Sequence, residues 1–241
     1  MVGRDLHRLN VDCQWGINGL RAIASGNIVV IVDTLSFSTA TTIAVALGAE
    51  ILPCEWNDER AGQLAKAQSA QLASKRGEGA FSLAPASMKK IAKGTRLVLP
   101  SPNGSTLAQA AQQLDAAAVV VGCLRNAGTV ASWASKQKRD VSVIAAGERW
   151  DDGTIRFAIE DWLGAGAIIS RMVGNRSAEA ESAAASFERV RYSIHRTLGE
   201  CPSGRELIEA GYPDDIDLAS EVDADHVIPL LQGIAFKLAS L

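Results

Sequence analysis

The chain has 241 residues, 47% of them hydrophobic and 21% charged, with a formal net charge of -3. That length allows a large buried core, and the charge supplies no basic field for holding a nucleic-acid backbone, so nucleic acid is not an expected partner. The N-terminal stretch MVGRDLHRLNVDCQWG has no long apolar core and no later run approaches bilayer-spanning length, so no membrane association is expected and the chain reads as cytoplasmic.

Along the chain, short aliphatic runs recur at Ile28 to Val32, Ile51 to Cys54, Arg96 to Leu99, Ala117 to Val121 and Val141 to Ala145. They are too short for helices, and several are rich in Val and Ile, which favours strands. Ala-rich segments between them, at Thr39 to Leu47, Asp58 to Ser74, Ser105 to Leu114 and Ala127 to Lys138, suit helices. Continuous apolar strands alternating with helices predict an α/β fold with a mainly parallel or mixed sheet covered on both faces, a three-layer αβα arrangement. Lys75 to Lys93, with two glycines and mixed charge, has no clear period and reads as a surface excursion or a mobile flap.

Beyond Asp161 the pattern turns mostly helical: Trp162 to Val173, Ala178 to Leu198, Gly204 to Ala210 and a last segment ending near Leu241. The expected organisation is one unit over 1–241, with an α/β lobe to about 160 and a mostly helical lobe from about 161. Cys13, Cys54, Cys123 and Cys201 form no ligand spacing and are expected as reduced thiols. His7, His195 and His226 are equally scattered.

Ligands of open α/β sheets bind beyond the carboxyl ends of the strands, so the residues there carry the most information. The first run ends Asp33-Thr34-Leu35-Ser36-Phe37-Ser38-Thr39, the third Pro100-Ser101-Pro102-Asn103-Gly104-Ser105, the fourth Gly122-Cys123-Leu124-Arg125-Asn126 and the fifth Gly147-Glu148-Arg149. Hydroxyls and glycine at a helix start leave N–H groups for an anion such as phosphate, favoured by the helix dipole. Asp33, Glu148, Glu160 and Asp161 are hard oxygen donors of the kind that hold Mg²⁺. Arg149 and Arg156 can clamp an acidic group with their planar forks. The plainer alternatives are N-caps at Ser38, Thr39 and Ser105, a turn at Asn103-Gly104, and helix-flanking positions for Glu160 and Asp161. Asp33 stands apart, because a carboxylate placed directly after a buried strand needs a partner.

Two motif matches fail on their chemistry. Cys54 and Arg60 have the spacing of cysteine-dependent phosphatases, but the intervening carboxylates repel phosphate. Asp33-Thr-Leu-Ser lacks the second carboxylate of the aspartyl-phosphate phosphatases.

Four blocks in order, VIVDTLSFSTATT, LVLPSPNGSTLA, VVGCLRNAGTVA and VIAAGERWDDGTIRFAIEDWLGAGAII, resemble the Mg²⁺-dependent 2-phosphosulfolactate phosphatases of the ComB-like fold. The resemblance implies hydrolysis of (2R)-O-phospho-3-sulfolactate to 3-sulfolactate and phosphate, a step of coenzyme M biosynthesis. It further implies Asp33 as a metal ligand or acid/base, and Ser38 and Thr39 as phosphate-facing residues, with Ser36 beside them. Asn103, Gly104 and Ser105 would contact phosphate or substrate, Asn126 would point into the site, and Glu160 and Asp161 would hold Mg²⁺ or its water. Many members of the family have an arginine where this chain has Ser36-Phe37, and Ala-Gly-Thr-x-Gly where it has Ala146-Gly147-Glu148-Arg149-Trp150. The positive charge is thus relocated, and the acid recognised can differ. Two rivals stay open, a non-catalytic binding module for a phosphorylated or sulfonated metabolite and a lyase or isomerase acting on a phospho-acid. A homodimer is left open by apolar residues such as Trp162 and Phe187.

Overall fold

The structure is a computed structural model that describes residues 9–55 and 58–239. β1 (Asn10–Trp15) and α1 (Gly16–Ile23) precede β2 (Ile28–Val32), which leads through a short turn into α2 (Phe37–Ala46). Next come β3 (Glu50–Cys54), α3 (Glu59–Ala67), β4 (Gln71–Leu72), α4 (Pro85–Met88), β5 (Arg96–Pro100) and α5 (Gly104–Gln113). β6 (Ala118–Val121) is followed by a 3-10 turn at Leu124–Asn126 and α6 (Ala127–Lys136), and β7 (Val141–Ala145) by a small ribbon of β8 (Glu148–Arg149) and β9 (Ile155–Arg156). The rest is α7 (Ile159–Ile169), β10 (Asn175–Arg176), α8 (Ala178–Val190), α9 (Ile194–Glu200), α10 (Pro202–Glu209), α11 (Pro213–Ser220) and a hairpin of β11 (Pro229–Gln232) and β12 (Ala235–Leu238).

Among the described residues the strands form a ten-stranded sheet, ordered β10-β1-β7-β2-β6-β11-β12-β3-β5-β4. All five residues of β2 are buried because the strand is covered on both faces. Ile28, Val30 and Val32 enter a core with Leu163, Ile168 and Phe187 of α7 and α8, whereas Val29 and Ile31 enter a second core with α1, α2 and α5. The αβα layering expected from the aliphatic runs is therefore present.

β1, β7, β2 and β6 are mutually parallel, as are β3, β5 and β4. The C-terminal hairpin joins the groups, pairing antiparallel with β6 on one side and with β3 on the other. Three successive antiparallel steps make the second group run opposite to the first along the sheet. Five strand spacings separate β2 from β5, about 24 Å if the sheet were flat. Yet the Asp33 carboxylate accepts a hydrogen bond from Gly104 N at 2.9 Å, and the three residues that precede Gly104 can span only about 10 Å. The sheet therefore curls, bringing the turn after β5 to the end of β2.

Several predicted elements differ from those observed. The tail, expected to be helical to its end, forms α11 and then the hairpin, whose Phe236 is fully buried. The helix expected over Ala178 to Leu198 breaks at a 3-10 turn, Arg191–Ser193. The helix expected from Asp58 ends at Ala67 and gives way to β4. The Lys75 to Lys93 segment is anchored by buried Ser82, Ala84, Pro85, Met88 and Ile91, and its α4 packs against α2 and α11. The stretch from Cys54 to Arg60 lies partly outside the described residues, and His7 wholly so.

Candidate active site

Asp33 follows β2 directly and is 6% exposed. Its Oδ1 accepts from Phe37 N at 3.2 Å, and its Oδ2 from Gly104 N at 2.9 Å and Ser101 Oγ at 3.4 Å. One carboxylate thus meets the N-terminal N–H groups of both α2 and α5, where helix dipoles favour negative charge. Gly104 is required there, since a Cβ would lie 2.3 Å from the Phe37 ring and 2.8 Å from Asp33 Oδ2.

The hydroxyls around Asp33 are engaged with the backbone. Ser38 Oγ accepts from Asp33 N at 2.9 Å and donates to Ile31 O at 3.2 Å. Thr39 Oγ1 donates to Thr34 O at 2.8 Å and Ser105 Oγ to Leu99 O at 3.0 Å. Asn126 is placed in the same way: its Oδ1 accepts from Cys123 N at 2.9 Å and its Nδ2 donates to Val121 O and Val227 O. These side chains hold strand-to-helix turns in shape. Ser36 Oγ receives Arg76 Nη2 at 2.6 Å.

Glu160 and Asp161 occupy the buried first turn of α7. Asp161 Oδ1 accepts from Thr34 N at 2.7 Å and Oδ2 from Gly147 N at 2.9 Å, so this carboxylate links the turns after β2 and β7. Thr34 Oγ1 donates to Glu160 O at 3.0 Å. Glu160 is 1% exposed, and its Oε2 has no hydrogen-bond partner. Glu148, at the start of the ribbon, accepts from Asn103 Nδ2 at 2.8 Å.

The four carboxylates influence one another. Burial pushes Asp161 well above the usual carboxylate range, and the charges of Asp33 and Glu160 act in the same direction. Burial also raises Asp33, against the N–H bonds from Phe37 and Gly104, with Glu160 adding to the rise. Glu148 is pushed up to about 7, first by burial and then by Asp33 and Glu160, against Asn103 and Arg156. Like charges gathered with so little water call for a proton or a cation.

Among the described residues no three His, Cys, Asp or Glu side chains are already arranged as a metal cage. The donor set nevertheless suits Mg²⁺, which takes one or two carboxylates and keeps waters or substrate oxygens for its other positions. The unpartnered Glu160 Oε2 beside Asp33 and Asp161 is the observation behind this fit.

A cleft of about 400 Å³ adjoins the cluster, lined by Asn18, Asn103, Thr106, Glu148, Arg149 and Thr154 among others. Arg149 reaches Gly153 O and Pro102 O only at 3.5 and 3.4 Å, which leaves its fork available to an anion. Arg156 is more committed: it pairs with Glu206 at 2.7 Å and lies over the Trp150 ring at 5.6 Å. The structure therefore brings together Asp33, Asn103, Gly104, Glu148, Glu160 and Asp161, with Arg149 at the cleft and Arg156 near the carboxylates. Asn18, Ser101, Thr34 and Arg76 were not among the candidates. Thr34 and Ser101 flank residues that were, whereas Asn18 and Arg76 arrive from segments with no motif.

A sequence model of the 2-phosphosulpholactate phosphatase family matches residues 18–233, spanning all of these side chains. The chain belongs to that family. It is 29% identical over 213 residues to the probable 2-phosphosulfolactate phosphatase of Carboxydothermus hydrogenoformans, covering 86% of this chain and 87% of that protein. It is 28% identical over 212 residues to the 2-phosphosulfolactate phosphatase of Methanothermobacter thermautotrophicus, covering 87% and 88%. A third relative, the probable 2-phosphosulfolactate phosphatase of Caldanaerobacter subterraneus, is 26% identical over 228 residues. Membership of the phosphosulpholactate phosphatase family makes the chain an enzyme of the phosphoric monoester hydrolase class. Among the described residues no helix is long and apolar enough to cross a membrane.

Proposed function

We propose that the protein hydrolyses (2R)-O-phospho-3-sulfolactate to 3-sulfolactate and inorganic phosphate in an Mg²⁺-dependent reaction. The reaction would serve coenzyme M biosynthesis in the cytoplasm, a compartment that suits four buried thiols. The observation that carries the reading is the buried cluster of Asp33, Glu160 and Asp161 beside a cleft that presents Arg149 and Asn103. Relatives that share most of the chain's length and bear the phosphatase name support the substrate.

Asp33 and Glu160, with Asp161, would hold Mg²⁺, which when bound neutralises phosphoryl oxygens and raises the electrophilicity of phosphorus. Arg149 orients the anionic substrate from the cleft wall. Glu148, whose carboxyl burial pushes up to about 7, is placed to take a proton from the attacking water and to hold it. The Asn103 amide fixes the Glu148 carboxylate through its Nδ2. Asp33 and Asp161 keep the turns after β2, β5 and β7 in register, so the reacting groups meet without reorganisation.

The test is phosphate release from a panel of phosphorylated hydroxy acids, phosphosulfolactate among them, with Mg²⁺ and with chelator. Mg²⁺-dependent release from phosphosulfolactate is expected. Release from a different member alone would keep the chemistry and change the substrate, and saturable binding with no release from any would make the site a receptor.

A further inference from the structure

Arg76 lies outside every motif, in the segment between β4 and α4, yet it reaches the turn that carries Asp33. Its Nη2 donates to Ser36 Oγ at 2.6 Å, and its Nε pairs with Asp215 of α11 at 3.1 Å. Asp215 is 1% exposed, and Tyr212 lies under the guanidinium at 5.8 Å. The fork is therefore held on two sides. Arg76 also lines a cavity of about 240 Å³ with Ser74, Lys75, Leu83, Leu99 and Pro100. Pro100 immediately precedes Ser101, whose hydroxyl reaches Asp33, and Asn103 of the same turn lines the larger cleft. The Pro100 to Asn103 turn thus borders two cavities, one lined by Arg149 and the other by Lys75 and Arg76.

A purely structural role would make Arg76 a pin between its own segment and α11. Its contacts exceed what a pin requires. Ser36 is neutral and needs no cation, and a second cation, Lys75, stands at the adjoining position of the same cavity wall. The substrate class brings a chemical need as well: an acid that carries further anionic groups beside its phosphate needs cations away from the carboxylates. Arg156 is bound to Glu206 as Arg76 is to Asp215, and of the two Arg76 is the one that lines this second cavity.

We propose that Arg76 is a substrate-binding residue that receives a second acid group of the substrate, a carboxylate or sulfonate, in the cavity it shares with Ser74 and Lys75. The inference rests on the phosphatase reading and names the residue that selects for a poly-acid substrate. Asp215 acts as a positioning residue that aims the fork.

The experiment measures phosphosulfolactate kinetics, inhibition by inorganic phosphate and the binding of 3-sulfolactate for wild type, R76M and R76K, with melting temperature followed in parallel. Loss of a charge-assisted contact should raise KM by about 10- to 100-fold in R76M and less in R76K, with kcat changed much less. Sulfolactate binding should weaken by a similar factor while the phosphate inhibition constant stays within about twofold of wild type. An unchanged KM, or a fall in melting temperature with no change in KM or sulfolactate affinity, would reduce Arg76 to a pin. An equal weakening of phosphate inhibition would overturn the second-acid assignment. Wild-type binding of sulfolactate without turnover would defeat the phosphatase reading alone, and the binding constants would still decide the role of Arg76. Absence of both sinks the two together.

Discussion

At the scale of single residues, the carboxylates combine a structural role with a chemical one. Asp33 ties two helix starts, so replacing it has two separable effects. Asn at position 33 retains one acceptor but turns an amide N–H toward an N–H that Asp33 now accepts. That exchange should cost about 0.5–2 kcal/mol of stability and about a hundredfold or more in phosphate release, measured by thermal unfolding and by turnover at limiting Mg²⁺. Turnover equal to wild type would remove Asp33 from the chemistry. Asp33, Glu148 and Asp161 all have raised pKa values, so the folded state binds protons more tightly than the unfolded one. Stability must then fall as pH rises, and for Glu148 the window runs from its ordinary 4.5 to about 7. In chelator, melting temperature is expected to decline across that window, and Mg²⁺ should restore it most at the upper end. Equal stabilisation by Mg²⁺ at both ends would contradict metal binding by these carboxylates. Two thiols behave in the opposite sense to reactive ones. Burial pushes Cys13 and Cys201 up to about 12, helped by Glu179 and Glu160 respectively, so native protein at pH 8 should resist alkylation at both until it is denatured.

At the scale of elements, legibility in the sequence followed burial on two faces. β2 and β7 were readable at both ends, since a strand covered by helices on each side is continuously apolar. β1 was not, because its Asn, Asp and Gln alternate with buried Val11 and Cys13 and suppress any aliphatic run. The hydroxyls after β2 and β5 illustrate a further limit: a sequence displays the donor but not its acceptor, and Ser38, Thr39 and Ser105 all found backbone carbonyls. Asp33, Glu148, Glu160 and Asp161 were readable as hard oxygen donors for Mg²⁺, but nothing local links positions so far apart, and the family resemblance gave the roles of Glu160 and Asp161 beside Asp33. Packing of α7 on α8 depends on small residues. A Cβ at Gly166 would lie 2.0 Å from the backbone oxygen of Ala183, so Gly166→Ala must push the helices apart. A loss of about 1–3 kcal/mol in chemical denaturation is expected, with reduced turnover because Asp161 sits in the first turn of α7.

At the scale of the molecule, the C-terminal hairpin decides whether there is one sheet or two. Its sequence signal was present but slight: Gly233-Ile234 forms a two-residue loop, with Gly233 at a φ of 64°, as tight hairpins favour. Phe236 is fully buried between α2, β3 and the second core. Phe236→Ala should cost about 3–5 kcal/mol in urea unfolding. A chain ending before Pro229 should give no cooperative transition, because β6 and β3 would lose their only link within the described sheet.

That link also orders events in time. β2, β6, β3 and β5 are synthesised long before the hairpin that pairs β6 with β11 and β3 with β12. During translation each half-sheet presents an open edge, the state most prone to pairing with the wrong neighbour. The two groups of strands can therefore be joined into one sheet only after Pro229 to Leu238 have been made.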